Sequence, residues 1–431
     1  MVADEDSTAE LHDICRKAQA ALEAIPDQGM LTRAALMRAM LTAEDCARAR
    51  QLEWRRKRAN TMHPGMTAEA RKKARKQAEG NASIPARVAL WTSLETLLKS
   101  DNAVTGRVEL STRGSGEGSG RVVSVHRRKE IQAHVTSLPM LLLDAIMQVA
   151  IVRHYLPRLE VLAEIRVQAP HQRLHQIIGG WGKTSLSPHG KATVSENNRR
   201  IGRLAELRDF VALNGGQNPL VVTYEDIEDR FRRLPGVETA HFNAIAGLDV
   251  HRDVRTLFVI GRPLPSPEDV RMLALELTGK PLALAASQTE MRGARGPDGR
   301  GIGIKVRVYA DPDFEMVRAA ITDAEVAQAI GRARGVNRTA DNPVDVFLFA
   351  DVVLTLTVAG VARWAEVCPD PIARMWARGS VLLSATDAAA AWPDLFPTPE
   401  AARKALHRGE AKGHFPDISL RYITAVRSKS E

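Results

Sequence analysis

Thr256-Leu257-Phe258-Val259-Ile260-Gly261 is a continuous apolar run, one of a series that indicates the fold. Strands buried on both faces have such runs, whereas strands with one solvated face alternate apolar and polar residues. Between residues 136 and 353, short apolar runs alternate with segments of helical periodicity. We predict strands at residues 140–145, 160–167, 219–223, 237–242, 256–261, 305–309 and 345–349. This order predicts an α/β fold, with a mostly parallel sheet flanked by helices.

The loops that follow the strands carry candidate functional residues. Helices are predicted at residues 196–213, 224–234 and 267–278, and from residue 323 onward. In parallel sheets, ligands bind in the loops beyond the carboxyl ends of the strands. Four residues are therefore placed on the predicted functional edge: Asp144, Thr223, Asn243 and Gly261.

Three further regions flank the sheet domain, which is predicted to span residues 136–356. Residues 1–84 are predicted as a basic helical arm, residues 85–135 as a helix plus a hairpin, and residues 357–431 as a helical C-terminal region. The hairpin loop, residues 114–120, is rich in glycine and serine, which predicts flexibility. A small core is expected in the C-terminal region from its aromatic residues: Trp364, Trp376, Trp392 and Phe396.

The basic arm carries dense positive charge. The cluster Arg55-Arg56-Lys57-Arg58 follows a helix whose predicted N-cap is Thr42, and Thr67 is the predicted N-cap of the next basic helix. Such clusters contact nucleic-acid phosphates, but they also occur as solvated surfaces. Both interpretations stay open at this point.

Composition favours a polyanionic partner. The 431 residues carry a formal net charge of +9, and aromatic residues make up only 4%. The charge favours nucleic acid, while the scarcity of aromatic rings argues against base stacking as the main contact. We find no apolar run long enough for a membrane span, and the acidic start is unlike a signal peptide, so we expect a cytoplasmic protein without membrane contact. Cys15, Cys46 and Cys368 are far apart, so we expect no metal site.

The segment Thr322-Asp-Ala-Glu-Val-Ala-Gln-Ala-Ile-Gly-Arg-Ala-Arg-Gly-Val-Asn-Arg338 is the most informative about function. Thr322 and Glu325 have capping-box spacing, which predicts that a helix begins here. Four apolar residues recur on one face: Val326, Ala329, Ile330 and Ala333. Glu325, Gln328 and Arg332 fall on a neighbouring polar face. An amide and a guanidinium one turn apart on an anchored helix can be aimed at a phosphate, although such faces are often simply solvated.

Several segments resemble, in order, motifs III to VI of the second RecA-like domain of superfamily two DEAD/DEAH-like DNA helicases. Met140-Leu-Leu-Leu-Asp-Ala-Ile146 is similar to motif III, and Leu220-Val-Val-Thr-Tyr224 is similar to motif IV. Ala240-His-Phe-Asn-Ala-Ile-Ala-Gly-Leu-Asp249 resembles motif V. The helix from residue 323 resembles motif VI, whose usual form is Gln-x-x-Gly-Arg-x-x-Arg. This chain departs from the family at Ile146, where a hydroxyl is usual, and at Gly335, where the second arginine is usual.

The resemblance implies a role for each matching residue. Arg332 would be the arginine finger, which stabilises negative charge on a transferring γ-phosphoryl group, and Gln328 would bind the γ-phosphate or the attacking water. Asp249 would accept a hydrogen bond from the nucleotide ribose. The other implied nucleotide contacts are Gly247 and Arg334. The implied nucleic-acid contacts are Thr223 and Asn243, in addition to the cluster at residues 55–58.

A first RecA-like domain with a P-loop and an acidic motif is not recognisable in the sequence. Gly179-Gly180-Trp181-Gly182-Lys183-Thr184 resembles the end of a P-loop, but Ile177 stands where the motif needs glycine, so we interpret the stretch as a polar loop. Residues 85–135 are a possible remnant of that first domain. ATP with magnesium is therefore expected only if a partner chain supplies the P-loop domain.

Three functions are compatible with these observations. The first is the C-terminal half of an ATP-dependent helicase, acting on DNA or RNA and supplying the arginine finger but not the P-loop. The second is a non-enzymatic DNA-binding or regulatory protein in which the basic arm dominates binding. The third is an inactive helicase fragment, which is compatible with Ile146 and Gly335.

Overall fold

The computed structural model divides the chain into two compact units, each assembled from three segments. The first unit contains Met1–Leu162, Pro265–Gln288 and Val308–Ala320, and the second contains Ala163–Leu264, Thr289–Arg307 and Ile321–Glu431. Structure is described for residues 5–25, 30–57, 63–113, 120–144, 146–165, 167–244, 253–284 and 286–411. These units do not follow the predicted domain boundaries, because each unit combines segments that are distant in sequence.

The N-terminal elements are helices and strands, and some of them share one buried core. They are α1 (Glu5–Glu23), β1 (Met30–Thr32), α2 (Arg33–Arg38), α3 (Ala43–Arg55), α4 (Ala68–Ala78), α5 (Ile84–Lys99), β2 (Val104–Arg113), β3 (Gly120–Val125), α6 (Ala133–Thr136) and α7 (Val149–Tyr155). The three strands form an antiparallel sheet in the order β1-β2-β3. Leu11 and Leu52 share a buried cluster with Leu94 and Leu110. Residues 5–25 and 30–57 are therefore part of a folded core and not a detached arm.

The predicted helix starts in this region are confirmed. Thr42 accepts a hydrogen bond from the Asp45 backbone N–H, and the Asp45 carboxylate accepts one from the Thr42 backbone N–H, which makes a complete capping box. The Thr67 hydroxyl accepts from the Ala70 backbone N–H. Residues 114–119 of the predicted loop at 114–120 lie outside the described residues, and Gly120 begins β3.

The remaining elements include the strands of the main sheet. They are β4 (Gln172–Ile178), α8 (Lys183–Leu186), α9 (Val194–Asn214), β5 (Pro219–Thr223), α10 (Glu225–Arg232), β6 (Glu238–His241), β7 (Thr256–Ile260), α11 (Pro267–Thr278), β8 (Ser287–Arg295), β9 (Gly301–Tyr309), α12 (Pro312–Gly331), β10 (Val344–Phe349), β11 (Gly360–Arg363), α13 (Trp364–Val367), α14 (Pro371–Ala377), α15 (Ala385–Ala391) and α16 (Pro399–Ala411). Among the residues described, no helix is both long and apolar enough to cross a membrane.

The main sheet confirms the predicted α/β fold. Its six strands run in the order β11-β4-β10-β7-β5-β6, and every neighbouring pair is parallel. Every residue of β5 and β7 is buried, as their continuous apolar runs predict. A six-stranded parallel sheet flanked by helices is consistent with a RecA-like arrangement. The predicted strand at residues 305–309 is also a strand, but it pairs with β8 in a separate two-stranded sheet.

Two predicted strands are wrong. Residues 140–144 have no regular structure and are exposed, with Leu143 86% accessible, and they belong to the first unit rather than to the sheet. The described residues of 160–167 are likewise irregular and exposed. An apolar run alone does not identify a strand, and leucine favours helices, so the run at 140–144 lacked the β-branched residues typical of a strand. Asp144 is therefore absent from the edge of the sheet, and its carboxylate accepts from the Ile146 backbone N–H instead.

The main sheet also extends beyond the predicted boundary at residue 356. β11 pairs in parallel with β4, so the sheet continues to Arg363. The helices that follow build a small core around Ile372, Met375 and Phe396, with Trp392 packed against it. Trp376 is 49% exposed, so it is not one of the core residues predicted for this region.

Candidate functional site

The loop after β6 is attached to α12 at the carboxyl edge of the sheet. Asn243 has φ 68°, a left-handed conformation that asparagine adopts more readily than most residues. Its backbone N–H donates to Glu325 Oε1 at 2.7 Å. This bond joins the segment that resembles motif V to the helix that resembles motif VI. Both residues belong to the second unit.

The predicted apolar face of α12 is confirmed. Its four residues are each no more than 2% exposed: Val326, Ala329, Ile330 and Ala333. Gln328 and Arg332 are half-buried, and the Arg332 Nε is shielded from solvent. The helix ends at Gly331, so Arg332 stands just beyond it, with its backbone N–H donating to the Ala329 carbonyl at 3.2 Å. Burial of the neighbouring apolar face fixes the support from which Gln328 and Arg332 project.

The predicted capping box at Thr322 is wrong. Thr322 is fully buried inside α12, which begins ten residues earlier, at Pro312. The start is instead marked by Asp311, whose carboxylate accepts from the Phe314 backbone N–H at 2.9 Å. The sequence signal was present, because an acidic cap followed by proline at the first helical position is a common way to begin a helix.

The residues after α12 adopt a tight turn. Arg334 is exposed, with a left-handed φ of 50°. Gly335 is buried, and a Cβ built on it would lie 2.0 Å from Gln172 Oε1. A side chain at this position would therefore have to displace the Gln172 side chain. Arg338 is only 6% exposed and donates from Nε to the Ala333 carbonyl at 2.8 Å, and burial lowers the pKa of its guanidinium.

Of the other predicted contact residues, some lie outside the described residues and some are buried. Gly247 and Asp249 lie outside the described residues, as does Arg58. Thr223 is fully buried and its hydroxyl donates to the Ile260 carbonyl at 3.1 Å. Because this hydroxyl is used within the sheet, the side chain is not offered to a phosphate in this conformation.

Gly261 is present on the carboxyl edge, where it has φ 92°, and its Cβ would lie 2.5 Å from the Tyr224 ring. The Tyr224 hydroxyl lies within hydrogen-bond distance of the Trp181 and Arg262 carbonyls, one of which accepts its proton, and it accepts from the Arg262 backbone N–H at 3.0 Å. Gly261 therefore serves the close packing of this edge.

The basic cluster in the first unit is solvent-facing where it is described. Arg55, Arg56 and Lys57 are exposed at the end of α3. Arg56 lies 3.7 Å from the buried Glu53 carboxylate, and the Lys57 Nζ lies 5.6 Å from the centre of the Trp54 ring. These are weak contacts, so the cations can reach another partner.

The glycine-rich stretch after β4 has the geometry of a closed polar loop. The backbone N–H groups of Gly179 and Gly180 donate to the two Asp351 carboxylate oxygens at 3.0 and 2.8 Å. Lys183 Nζ lies 3.4 Å from the Asp226 carboxylate, and α8 has only four residues. A P-loop needs free amides and a longer helix to hold phosphates. This loop instead uses its amides on a carboxylate from the same chain.

Sequence reasoning missed β4, and with it the surroundings of this loop. Gln172-Arg-Leu-His-Gln-Ile-Ile178 has polar residues in most of its first half, so it lacks the continuous apolar run that marked the other central strands. Gln176 is nevertheless buried, and its amide donates to the Ala350 and Val352 carbonyls at 2.8 and 2.7 Å. The sequence signal that could have identified β4 is a period of two. Leu174, Gln176 and Ile178 occupy every second position, as residues on one face of a strand do.

Comparison with protein-family models and with curated proteins finds no match for this chain. In the part of the chain that the structure describes, no group of three or more His, Cys, Asp or Glu residues is arranged to hold a metal ion. The fold and the site geometry thus define an α/β protein with an open parallel sheet and a polar cluster at its carboxyl edge.

Proposed function

We propose that this chain is the arginine-finger half of an ATP-dependent DNA helicase of superfamily two. Arg332 would stabilise the negative charge that develops on the γ-phosphoryl group, and Gln328 would orient the γ-phosphate or the attacking water. ATP and magnesium would be held by a P-loop domain on a partner chain. Gly247, Asp249 and Arg334 would complete the nucleotide contacts.

The observation that supports this proposal is the hydrogen bond from Asn243 to Glu325. Residues 240–249 and residues 325–332 are separated in sequence, yet this bond brings the beginning of one against the other at the carboxyl edge of the sheet. In parallel sheets this edge is where ligands bind. The contact between Asn243 and Glu325 joins two segments chosen by their resemblance to motifs V and VI, and this supports the proposal.

Hydrolysis of ATP in the presence of DNA tests the proposal. The chain alone should show no turnover, and addition of the partner that carries the P-loop should produce it. Arg332→Ala should then reduce kcat roughly a thousandfold or more, as loss of an arginine finger does, with little change in KM. Arg230→Ala, which removes an exposed cation of α10, is the matched control and should leave kcat unchanged.

Two results would contradict the proposal in different ways. Robust turnover by the chain alone that disappears in Arg332→Ala would disprove dependence on a partner. Normal turnover by the assembled Arg332→Ala protein would disprove the arginine-finger role. The latter result would favour an inactive fragment or a non-enzymatic DNA-binding protein, whose binding depends on the exposed cations of α3 and α4.

A further inference from the structure

A groove crosses the carboxyl ends of β4, β10 and β11, at a distance in sequence from Arg332. Its volume is about 840 Å³, and all of its lining residues belong to the second unit. The ionisable residues along it are Arg199, Arg203, Glu206, Lys305, Asp351 and Arg363. Four cations therefore face two carboxylates, which leaves the groove net positive.

Both carboxylates are already used by groups of this chain. Asp351 accepts from the Gly179 and Gly180 amides, as described above. Glu206 Oε2 accepts from the Trp364 indole N–H at 3.3 Å. Neither carboxylate forms a close ion pair with a groove cation. Both attract the Arg203 guanidinium at longer range, but the groove still has more cations than carboxylates.

The cations differ in how firmly they are held. Arg203 lies 4.2 Å from the centre of the Trp181 ring and donates to the Gly179 carbonyl, which fixes its guanidinium at the floor of the groove. Arg199, Lys305 and Arg363 are exposed, and within the described residues none of their side chains forms an ion pair with a carboxylate. The Arg363 backbone N–H donates to Glu366 Oε2 at 2.8 Å. The groove thus combines one positioned arginine with three cations that can move to meet a ligand.

The open form of the groove favours a polymer over a small anion. A site for a single phosphate is usually an enclosed cradle of backbone N–H groups, and here the available cradle is occupied by Asp351. Trp364 is half-buried and lines the groove beside the cations, with its ring packed against Trp181 and Phe349. Cations that follow a groove, with an aromatic ring beside them, are typical of binding to single-stranded nucleic acid.

We infer that this groove binds the phosphate backbone of a single-stranded nucleic acid. The choice of nucleic acid over another polyanion rests on the proposed function, whereas the position of the site rests on the groove itself. This contact is separate from the segments that resemble motifs IV and V, which lie at the other strands of the sheet.

Fluorescence anisotropy with a labelled oligothymidylate tests this inference on the full chain, without ATP. The double variant Arg199→Glu, Lys305→Glu should bind roughly tenfold or more weakly, and its salt slope should fall by about 1.4 because two phosphate contacts are lost. Arg199→Gln with Lys305→Gln should show a smaller loss. The double variant Arg230→Glu, Arg233→Glu, an equal charge change at exposed positions outside the groove, should bind as the wild type does. Circular dichroism establishes that the variants are folded.

Three outcomes would overturn the inference. The first is unchanged affinity and slope in the folded Arg199→Glu, Lys305→Glu variant, and the second is an equal loss in the Arg230→Glu, Arg233→Glu control. The third is displacement of the oligonucleotide by ATP or inorganic phosphate at stoichiometric concentration, which would mark a mononucleotide or phosphate site. Since no turnover is measured, failure of ATP hydrolysis with a partner would contradict the proposed function and leave the groove standing.

Discussion

At the scale of single residues, Gly335 lies closely against the sheet. A Cβ at this position would meet the Gln172 side chain at 2.0 Å, and Gln172 begins β4. A larger residue at position 335 would therefore have to displace the Gln172 side chain. No local pattern reveals this contact, because its partner lies in a strand more than 160 residues earlier.

Substitution at this glycine has a predictable cost. Gly335→Ala should lower the free energy of unfolding by about 1–3 kcal/mol, since the added methyl overpacks a closed site. Gly331→Ala is the matched control, because nothing lies within 4 Å of its Cβ and it occupies the last helical position of α12. That variant should be neutral or slightly stabilised. Urea unfolding measures the stability of both variants. Equal free energies of unfolding would contradict this account.

Glu228 makes the stability of the second unit sensitive to acid. Its carboxylate accepts from Thr239 and Arg232 and lies 2.7 Å from His241 Nδ1. Burial acts to raise the pKa of Glu228, but the hydrogen bonds outweigh it and hold the pKa below the ordinary 4.5. A lowered folded-state pKa contributes stability above pH 4.5 that is lost as the pH falls through the folded value.

Glu228→Gln should therefore be less stable than the wild type at pH 7. The difference should shrink as the pH falls below 4.5, because both proteins then lack the charge. Urea unfolding across this pH range measures it. A difference that stays constant with pH would mean that the carboxylate contributes through its shape and not through its charge.

At the scale of elements, the contact between α12 and the loop after β6 organises the candidate site. Glu325→Ala should free the Asn243 amide, and its hydrogen exchange should speed up by roughly tenfold, as expected for loss of a charged hydrogen bond of about 1.5 kcal/mol. Glu325→Gln keeps an acceptor oxygen, so the Asn243 amide should exchange more slowly in this variant than in the alanine variant. Equal exchange in all three proteins would show that the bond does not hold this loop.

Helices and strands were predictable where the local pattern was unambiguous. The predicted helix at residues 267–278 coincides with α11, and the predicted strand at 219–223 coincides with β5. The start of α12 was missed because Thr322 with Glu325 imitates a capping box inside a longer helix. β4 was missed because its polar residues are satisfied by partners from other strands and loops, which no local pattern shows. The candidate site was predictable only in part, since the Asn243–Glu325 contact depends on tertiary packing.

At the scale of the whole molecule, the net charge is +9, and exposed cations lie on separate parts of the chain. One is α4, where Lys72 and Lys73 are exposed. Deleting residues 1–84 cannot test this surface, because Leu11 and Leu52 belong to the core of the first unit. Charge reversal is the appropriate experiment.

Lys72→Glu with Lys73→Glu should weaken binding to duplex DNA if α4 contacts phosphates, and the salt slope should fall by about 1.8. Lys129→Glu, at another exposed position of the first unit, is the control and should change neither quantity. Titration at several salt concentrations measures both. An unchanged slope would identify α4 as an ordinary solvated face.

The interleaving of the two compact units limits how these residues can be divided. The chain passes between the units after residues 162, 264, 288, 307 and 320, and the last passage falls inside α12. Dividing the chain at a single position leaves neither unit intact. Recombination at one position therefore cannot transfer a complete unit to another protein. Any activity of the two units can therefore be transferred only with the continuous segment that contains both.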